Sequence, residues 1–180
     1  MDNPNLHLII LMAKKKITKI IGLGNPILGD DGVGWRVAEE IEQKLSEKGY
    51  LFDGQTIQIE KASLGGLSLM ELLIDADEAI IIDAIETHQF PIGTVRKLML
   101  EDIPDLNSGH TASTHDTSLA NAIEVGKLMG AHLPESIFII SIEAENLFEF
   151  SEELSPHVEQ AIPLACQYVW QTLIELEKKP

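Results

Sequence analysis

Four side chains stand where the surrounding apolar pattern gives no reason for them. Asp30 and Asp31 close the stretch Gly22-Leu23-Gly24-Asn25-Pro26-Ile27-Leu28-Gly29-Asp30-Asp31-Gly32-Val33-Gly34, Asp83 interrupts AIIIDAI at 79–85, and His115 sits in Ser113-Thr114-His115-Asp116. A carboxylate within IIIDAI is costly to bury alone, so Asp83 is paired, metal-bound or at the exposed tip of its strand. The plainer alternative is a cap or turn role just past the strand. Asp30 and Asp31 suit the N-cap and first turn of a following helix, although one cap does not need two acids. His115, taken alone, reads as a loop histidine. Together, two carboxylates and an imidazole make a mixed oxygen and nitrogen donor set with open positions. Such a set suits Zn, Fe or Ni and is too poor in thiolate to hold a soft metal permanently. Any metal contact would then be shared with a second molecule.

Other chemistries find less support. Gly22-x-Gly24-x-x-Ile27 lacks the third glycine of a dinucleotide fingerprint, and Glu60, the available ribose-binding acid, is followed by Lys61. No phosphate-binding loop and no nucleophile elbow occurs, and Ser63, Ser113 and Ser118 lack a nucleophile's setting. The single cysteine, Cys166, lies in the apolar run Ala161-Ile162-Pro163-Leu164-Ala165-Cys166 and reads as a small buried hydrophobe. It excludes an intramolecular disulfide framework and a cysteine zinc finger, and it fits a reducing, cytoplasmic setting.

The elements that must position these groups follow from periodicity. Residues 17–23 (ITKIIGL) read as a buried strand ending in glycine, and 24–31 as a turn in which Asn25-Pro26 forces extended backbone. Val33, Val37, Ile41 and Leu45, spaced by four with Gly49 as a stop, predict a helix over 33–48. A strand at 56–59, a turn at 63–66 and a short helix at 67–74 come next. Residues 79–85 read as a central parallel strand covered on both faces. Alternation at 93–100 predicts a half-buried or edge strand. A helix at 116–129 follows, then a buried strand at 136–142 (SIFIISI) and a final amphipathic helix at 155–177, with Ser155-Pro156 at its start. This rhythm predicts one α/β domain over 17–180, a three-layer sandwich with a mostly parallel twisted sheet flanked by helices. In such sheets the site lies beyond the carboxyl ends of the strands, which is where Asp31, Asp83 and His115 fall. Residues 1–16 read as an N-terminal extension. Met12-Ala13-Lys14-Lys15-Lys16 resembles a natural start, so that 1–11 would lie upstream of it.

Charge narrows the partners. The 180 residues carry 13 Lys and Arg against 29 Asp and Glu, a formal charge of −16. Without a basic stripe, counterion release cannot drive nucleic-acid binding, and anionic membranes repel such a surface. Leu6 to Ala13 is apolar but far short of the roughly 20 residues that a membrane span needs. Lys14 to Lys16 follow that run instead of preceding it, unlike a secretory signal. The expected partner is a protein, a metal ion or a small molecule.

The opening I-I-G-L-G-N-P-I-L-G-D-D-G-V-G-W-R-V closely resembles that of the [NiFe]-hydrogenase maturation endopeptidases. The likeness continues through Gly65-Gly66-Leu67-x-Leu69-x-Glu71-Leu72-Leu73, Ile82-Asp83-Ala84-Ile85, Ser113-x-His115-x-x-x-Leu119 and Leu154-Ser155-Pro156-x-Val158-x-x-Ala161-Ile162-Pro163, roughly residues 17–176 in order. It implies an endopeptidase that removes a C-terminal extension from the hydrogenase large-subunit precursor after nickel insertion. It also implies a metal-contacting trio of Asp31, Asp83 and His115, nickel supplied by the substrate, and no organic cofactor. Hydrolysis would be of aspartic type, with a carboxylate as general base, or assisted by the nickel.

Where many members of that family carry an acidic residue and a glycine, this chain has Lys61-Ala62, beside the turn that flanks the implied cleft. Glu143, Glu145, Glu149, Glu152 and Glu153 mark 143–153 as an acidic loop, read by default as solvated and, as the alternative, as a docking surface for a basic patch on the large subunit. Two other readings compete. Peptidyl-tRNA hydrolases share G-L-G-N-P, but the T-R-H-N that should follow is missing and the charge opposes tRNA. A nickel-sensing binding or chaperone protein would use the same trio without cleavage.

Overall fold

The computed structural model describes residues 15–48, 52, 55–102 and 114–178, the side chains at 48, 102 and 114–118 excepted. The expectations for residues 1–11 and for Ser113 lie outside the described residues. Strand β1 (Lys16–Leu23) leads through a 3-10 turn (Gly29–Gly32) into helix α1 (Val33–Lys48). Then come β2 (Gln55–Ala62), α2 (Gly66–Leu72), β3 (Glu78–Ile85), β4 (Val95–Met99), α3 (Thr114–Leu128), β5 (Ser136–Glu143) and α4 (Pro156–Glu177).

The sheet order is β2-β1-β3-β5-β4. Four strands run parallel, and β4 lies antiparallel along the outer edge of β5. β3 is buried along its whole length, as expected for a strand covered on both faces. Its alternate residues feed two cores. Ile80, Ile82 and Ala84 pack with Val33, Val37 and Ile41 of α1 and with Val158, Val169 and Leu173 of α4. Ala79 and Ile81 pack with Leu69 of α2 and its C-cap Leu73, and with Leu119 and Ile123 of α3. That is the expected three-layer α/β sandwich.

One contact sets how closely a helix approaches the sheet. A Cβ on Gly34 would stand 2.2 Å from the Leu23 carbonyl oxygen and 2.4 Å from that of Ile82, so the first turn of α1 rests directly on β1 and β3. A side chain there would hold the helix off the strand ends.

The order of connections then places the site. From β1 the chain crosses to β2 on one side, and from β3 it continues toward β4 and β5 on the other. The crevice between the carboxyl ends of β1 and β3 is therefore the point where connections diverge, and sheets of this kind bind their ligands there.

Candidate active site

The chain leaves β1 through Gly24, whose φ of +115° is disfavoured for any residue with a side chain. A Cβ there would lie 1.7 Å from the Asp31 carbonyl oxygen and 3.4 Å from the Asp31 carboxyl carbon, so the loop closes tightly on itself. The Gly24 N–H donates to the Ala62 carbonyl at 3.1 Å, and the Leu28 N–H to the Asn25 carbonyl at 3.0 Å. The Asn25 N–H donates to Asp31 Oδ2 at 2.6 Å, which fixes that carboxylate at the mouth of the crevice while leaving the residue half-exposed.

Asp30 and Asp31 both suit the start of the following helix in sequence, but the fold separates them. Asp30 is fully buried and serves a different helix: its Oδ1 accepts the N–H of Ser155, the N-cap of α4, at 2.6 Å. Its Oδ2 has no hydrogen-bond partner among the described residues. Further bonds tie the same turn to the segment after β5, from the Gly29 N–H to the Ser151 carbonyl (2.7 Å) and from the Asp30 N–H to the Asn146 carbonyl (3.1 Å).

Asp83 lies two residues before the end of β3 and is 2% exposed. It is therefore inside the strand, neither at an exposed tip nor in a turn beyond it. In register it stands beside the buried Ser141 of β5, on the sheet face that also carries Ala79 and Ile81 toward α2 and α3. The 3-10 turn carrying Asp31 packs on β3, so a turn and a strand far apart in sequence bring their acids to one end of the sheet.

His115 is the second residue of α3, in its first turn and not in the loop before it. The C-terminal half of α3 (Ile123, Lys127) shares a cavity wall with the beginning of β5 (Ser136, Ile137). The helix therefore starts near the carboxyl ends of the strands, the end occupied by Asp31 and Asp83. Its side chain lies outside the described residues. Among the described residues, no three His, Cys, Asp or Glu side chains are grouped to hold a metal ion. The cavity itself, about 370 Å³ and lined also by Met99 and Asn121, is at the opposite end of the sheet and includes none of the three candidates.

One feature escaped the sequence reading. Glu143 was taken as part of a solvated acidic loop, yet it is the last residue of β5 and 2% exposed. Pairing with Ile85 buries it. Its carboxylate collects the Thr87 N–H (2.8 Å), the Thr87 hydroxyl (2.8 Å) and the His88 N–H (2.8 Å), holding the turn that leaves β3 just beyond Asp83. An acid set against an apolar run, as Asp83 is, was the available signal. Lys61-Ala62, the departure noted in the sequence, lies against α1 and the Gly24 loop. Lys61 pairs with Glu42 (3.3 Å) and Glu39 (3.7 Å) of α1, and the Ala62 carbonyl accepts both the Gly24 N–H and, at 3.3 Å, the Trp35 indole N–H.

Cys166 is buried as expected, and burial pushes its thiol up to about 11, so it stays protonated at neutral pH and is no nucleophile. No helix among the described residues is long and apolar enough to cross a membrane.

A family model described as hydrogenase maturation protease matches residues 35–172, most of the chain. The chain belongs to the hydrogenase maturation protease family. That span contains Asp83 and His115 and begins just after Asp31. The Hydrogenase 2 maturation protease of Escherichia coli K12 is 28% identical over 156 residues, covering 87% of this chain and 90% of that protein. The hydrogenase expression/formation protein HupD of Bradyrhizobium diazoefficiens is 26% identical over 169 residues, 89% of this chain and 83% of its own. Among solved structures, the hydrogenase maturating endopeptidase HybD from E. coli superimposes with a TM-score of 0.70 at 28% identity, covering 89% of this chain and 93% of that one. Membership of this family makes the protein a peptidase.

Proposed function

We propose that this peptidase removes the C-terminal extension of the [NiFe]-hydrogenase large-subunit precursor after nickel has been inserted. In this reading it recognises the nickel of that substrate through Asp31, Asp83 and His115. The observation that carries the proposal is the meeting of the Asp31 turn with the strand of Asp83 at the divergence point between β1 and β3, in a member of a maturation protease family. Two carboxylates with an imidazole from the α3 start make a hard and borderline donor set, which suits transient contact with a metal that another protein carries.

Asp31 and Asp83 position metal and water, and His115 completes the shell. A carboxylate takes a proton from the water as its oxygen attacks the scissile carbonyl, and the departing amine is protonated as the C–N bond breaks. The substrate's nickel polarises the carbonyl or the water, which lowers the demand on the carboxylate as base. The reaction belongs in the cytoplasm, in keeping with one buried, protonated cysteine.

The test is incubation of the purified protein with nickel-loaded and nickel-free precursor. Cleavage of the loaded form alone supports the proposal. Binding without cleavage replaces it with a nickel-sensing chaperone. Full processing by both His115→Ala and Asp83→Asn removes the site assignment.

A further inference from the structure

Two of the chain's five phenylalanines stand almost wholly in water on one loop: Phe148 is 82% exposed and Phe150 87%. Their neighbours Leu147 and Leu154 pack into the core and anchor the loop at both ends. Its backbone is bonded to the turn that carries Asp31. Besides the Gly29 and Asp30 bonds above, the Ser151 N–H donates to the Ile27 carbonyl at 3.1 Å, and Leu28 pairs with Ser151 as a parallel bridge. That bridge puts Phe150 beside Ile27 in register, and Ile27 is itself 46% exposed. The aromatics are thus held in fixed relation to the crevice.

Around them are the exposed carboxylates of Glu145, Glu149, Glu152 and Glu153, with no Lys or Arg between 143 and 155. Arg36 reaches this segment, donating to the Glu152 carbonyl at 3.3 Å while pairing with Glu39 at 3.7 Å. Exposed aromatics with a charged rim are the composition of an interface centre.

We infer that residues 144–155 form a docking surface for an extended segment of the substrate polypeptide, one that presents an apolar side chain flanked by Lys or Arg. The inference rests on the peptidase reading and adds the chemistry of what it grips. Charge selects this occupant over a second copy of the chain. A symmetric dimer through this face would bring two sets of four glutamates together, in a protein whose formal charge is already −16. A segment seated on Phe148, Phe150 and Ile27 leads along the bridge toward Asp31. The acids steer a cationic partner onto the surface, and the rings hold it.

The test titrates full-length wild type, Phe148→Ala/Phe150→Ala, and Glu145→Gln/Glu149→Gln/Glu152→Gln/Glu153→Gln against the nickel-loaded large-subunit precursor. It follows binding, cleavage, thermal unfolding and sedimentation. The aromatic double variant should unfold at the wild-type temperature, raise both Kd and KM by about tenfold or more, and leave kcat within about twofold. The glutamine variant should lose most of the salt dependence of binding. Unchanged Kd and KM in the aromatic variant overturn the docking surface, whether or not its sedimentation reveals a lost dimer. If wild type binds the precursor without cutting it, the peptidase reading fails alone and the Kd shift still decides the surface. If it neither binds nor cuts, both fail.

Discussion

Asp30 and Asp31 are adjacent in sequence and should have opposite mutational signatures. Asp30→Ala removes a fully buried carboxylate that accepts the Ser155 N–H at 2.6 Å, across 125 residues of chain. Losing a charge-assisted bond to this part-buried donor costs roughly 1.5–3 kcal/mol. Removing a buried charge whose second oxygen lacks a partner among the described residues offsets part of that. A net loss of about 2 kcal/mol lowers Tm by roughly 4–8 °C in a protein of this size. Asp31→Ala gives up a half-exposed acceptor for the Asn25 N–H, worth about 1 kcal/mol and a Tm change of roughly 2–4 °C. In cleavage the order reverses. Asp31→Ala should lower kcat by roughly 100- to 10,000-fold, the range expected for loss of a group acting on the reacting atoms. Asp30→Ala, assayed well below its Tm, should keep most of its activity. Calorimetry and precursor cleavage on the same preparations check both halves. Thermal neutrality of Asp30→Ala, or full processing by Asp31→Ala, would refute the division of labour argued from burial and hydrogen bonding.

Two other expectations follow from the same structure. In Gly24→Ala the new Cβ meets the Asp31 carbonyl at 1.7 Å, against a comfortable contact near ~3.5 Å, so the loop must open by more than about 1 Å. The φ of +115° adds strain of roughly 1–3 kcal/mol. Cleavage should fall about 100-fold, and activity within about twofold of wild type would show that Asp31 needs no such placement. The second concerns alkali. The Cys166 thiol ionises near 11 in the fold against 9.0 ordinarily, so the unfolded chain sheds this proton first and stability falls as pH rises from 9 toward 11. Denaturant unfolding should give about 2 kcal/mol less stability at pH ~10.5 than at pH ~8 from this group, a component that Cys166→Ala removes. Lys44, held above its ordinary value chiefly by its hydrogen bond to Glu40, loses that pairing at still higher pH.

What could be read from the sequence followed the strength of local pattern. Val33, Val37, Ile41 and Leu45 define one helical stripe, and α1 occupies the expected 33–48. AIIIDAI became the buried central strand, and the alternation at 93–100 became the antiparallel edge strand. The strand read at 56–59 extends over Gln55–Ala62, because only Ile57 and Ile59 signal it and backbone pairing with β1 supplies the rest. Strand order was not legible, since β1 chooses β3 through packing on both faces and not through any local residue. The candidate acids were visible as residue types out of place. Which of Asp30 and Asp31 faces the crevice depends on a bond to Ser155, and Glu143 is buried by its register with Ile85. Neither partner is near in sequence.

The pairing of β1 with β3 also governs when this protein can act. Thr18 meets Glu78 and Ala79 meets Ile137, partners about 60 residues apart in both cases. Such long-range pairings close late and slowly in folding, because loop-closure entropy is lost before the contacts that compensate it form. The Asp31 turn meets the strand of Asp83 only once β1 has paired with β3. A chain still emerging from the ribosome, or one partly unfolded by stress, therefore has the acids without the crevice. With the site proposed above, proteolytic competence should arrive only with the completed sheet.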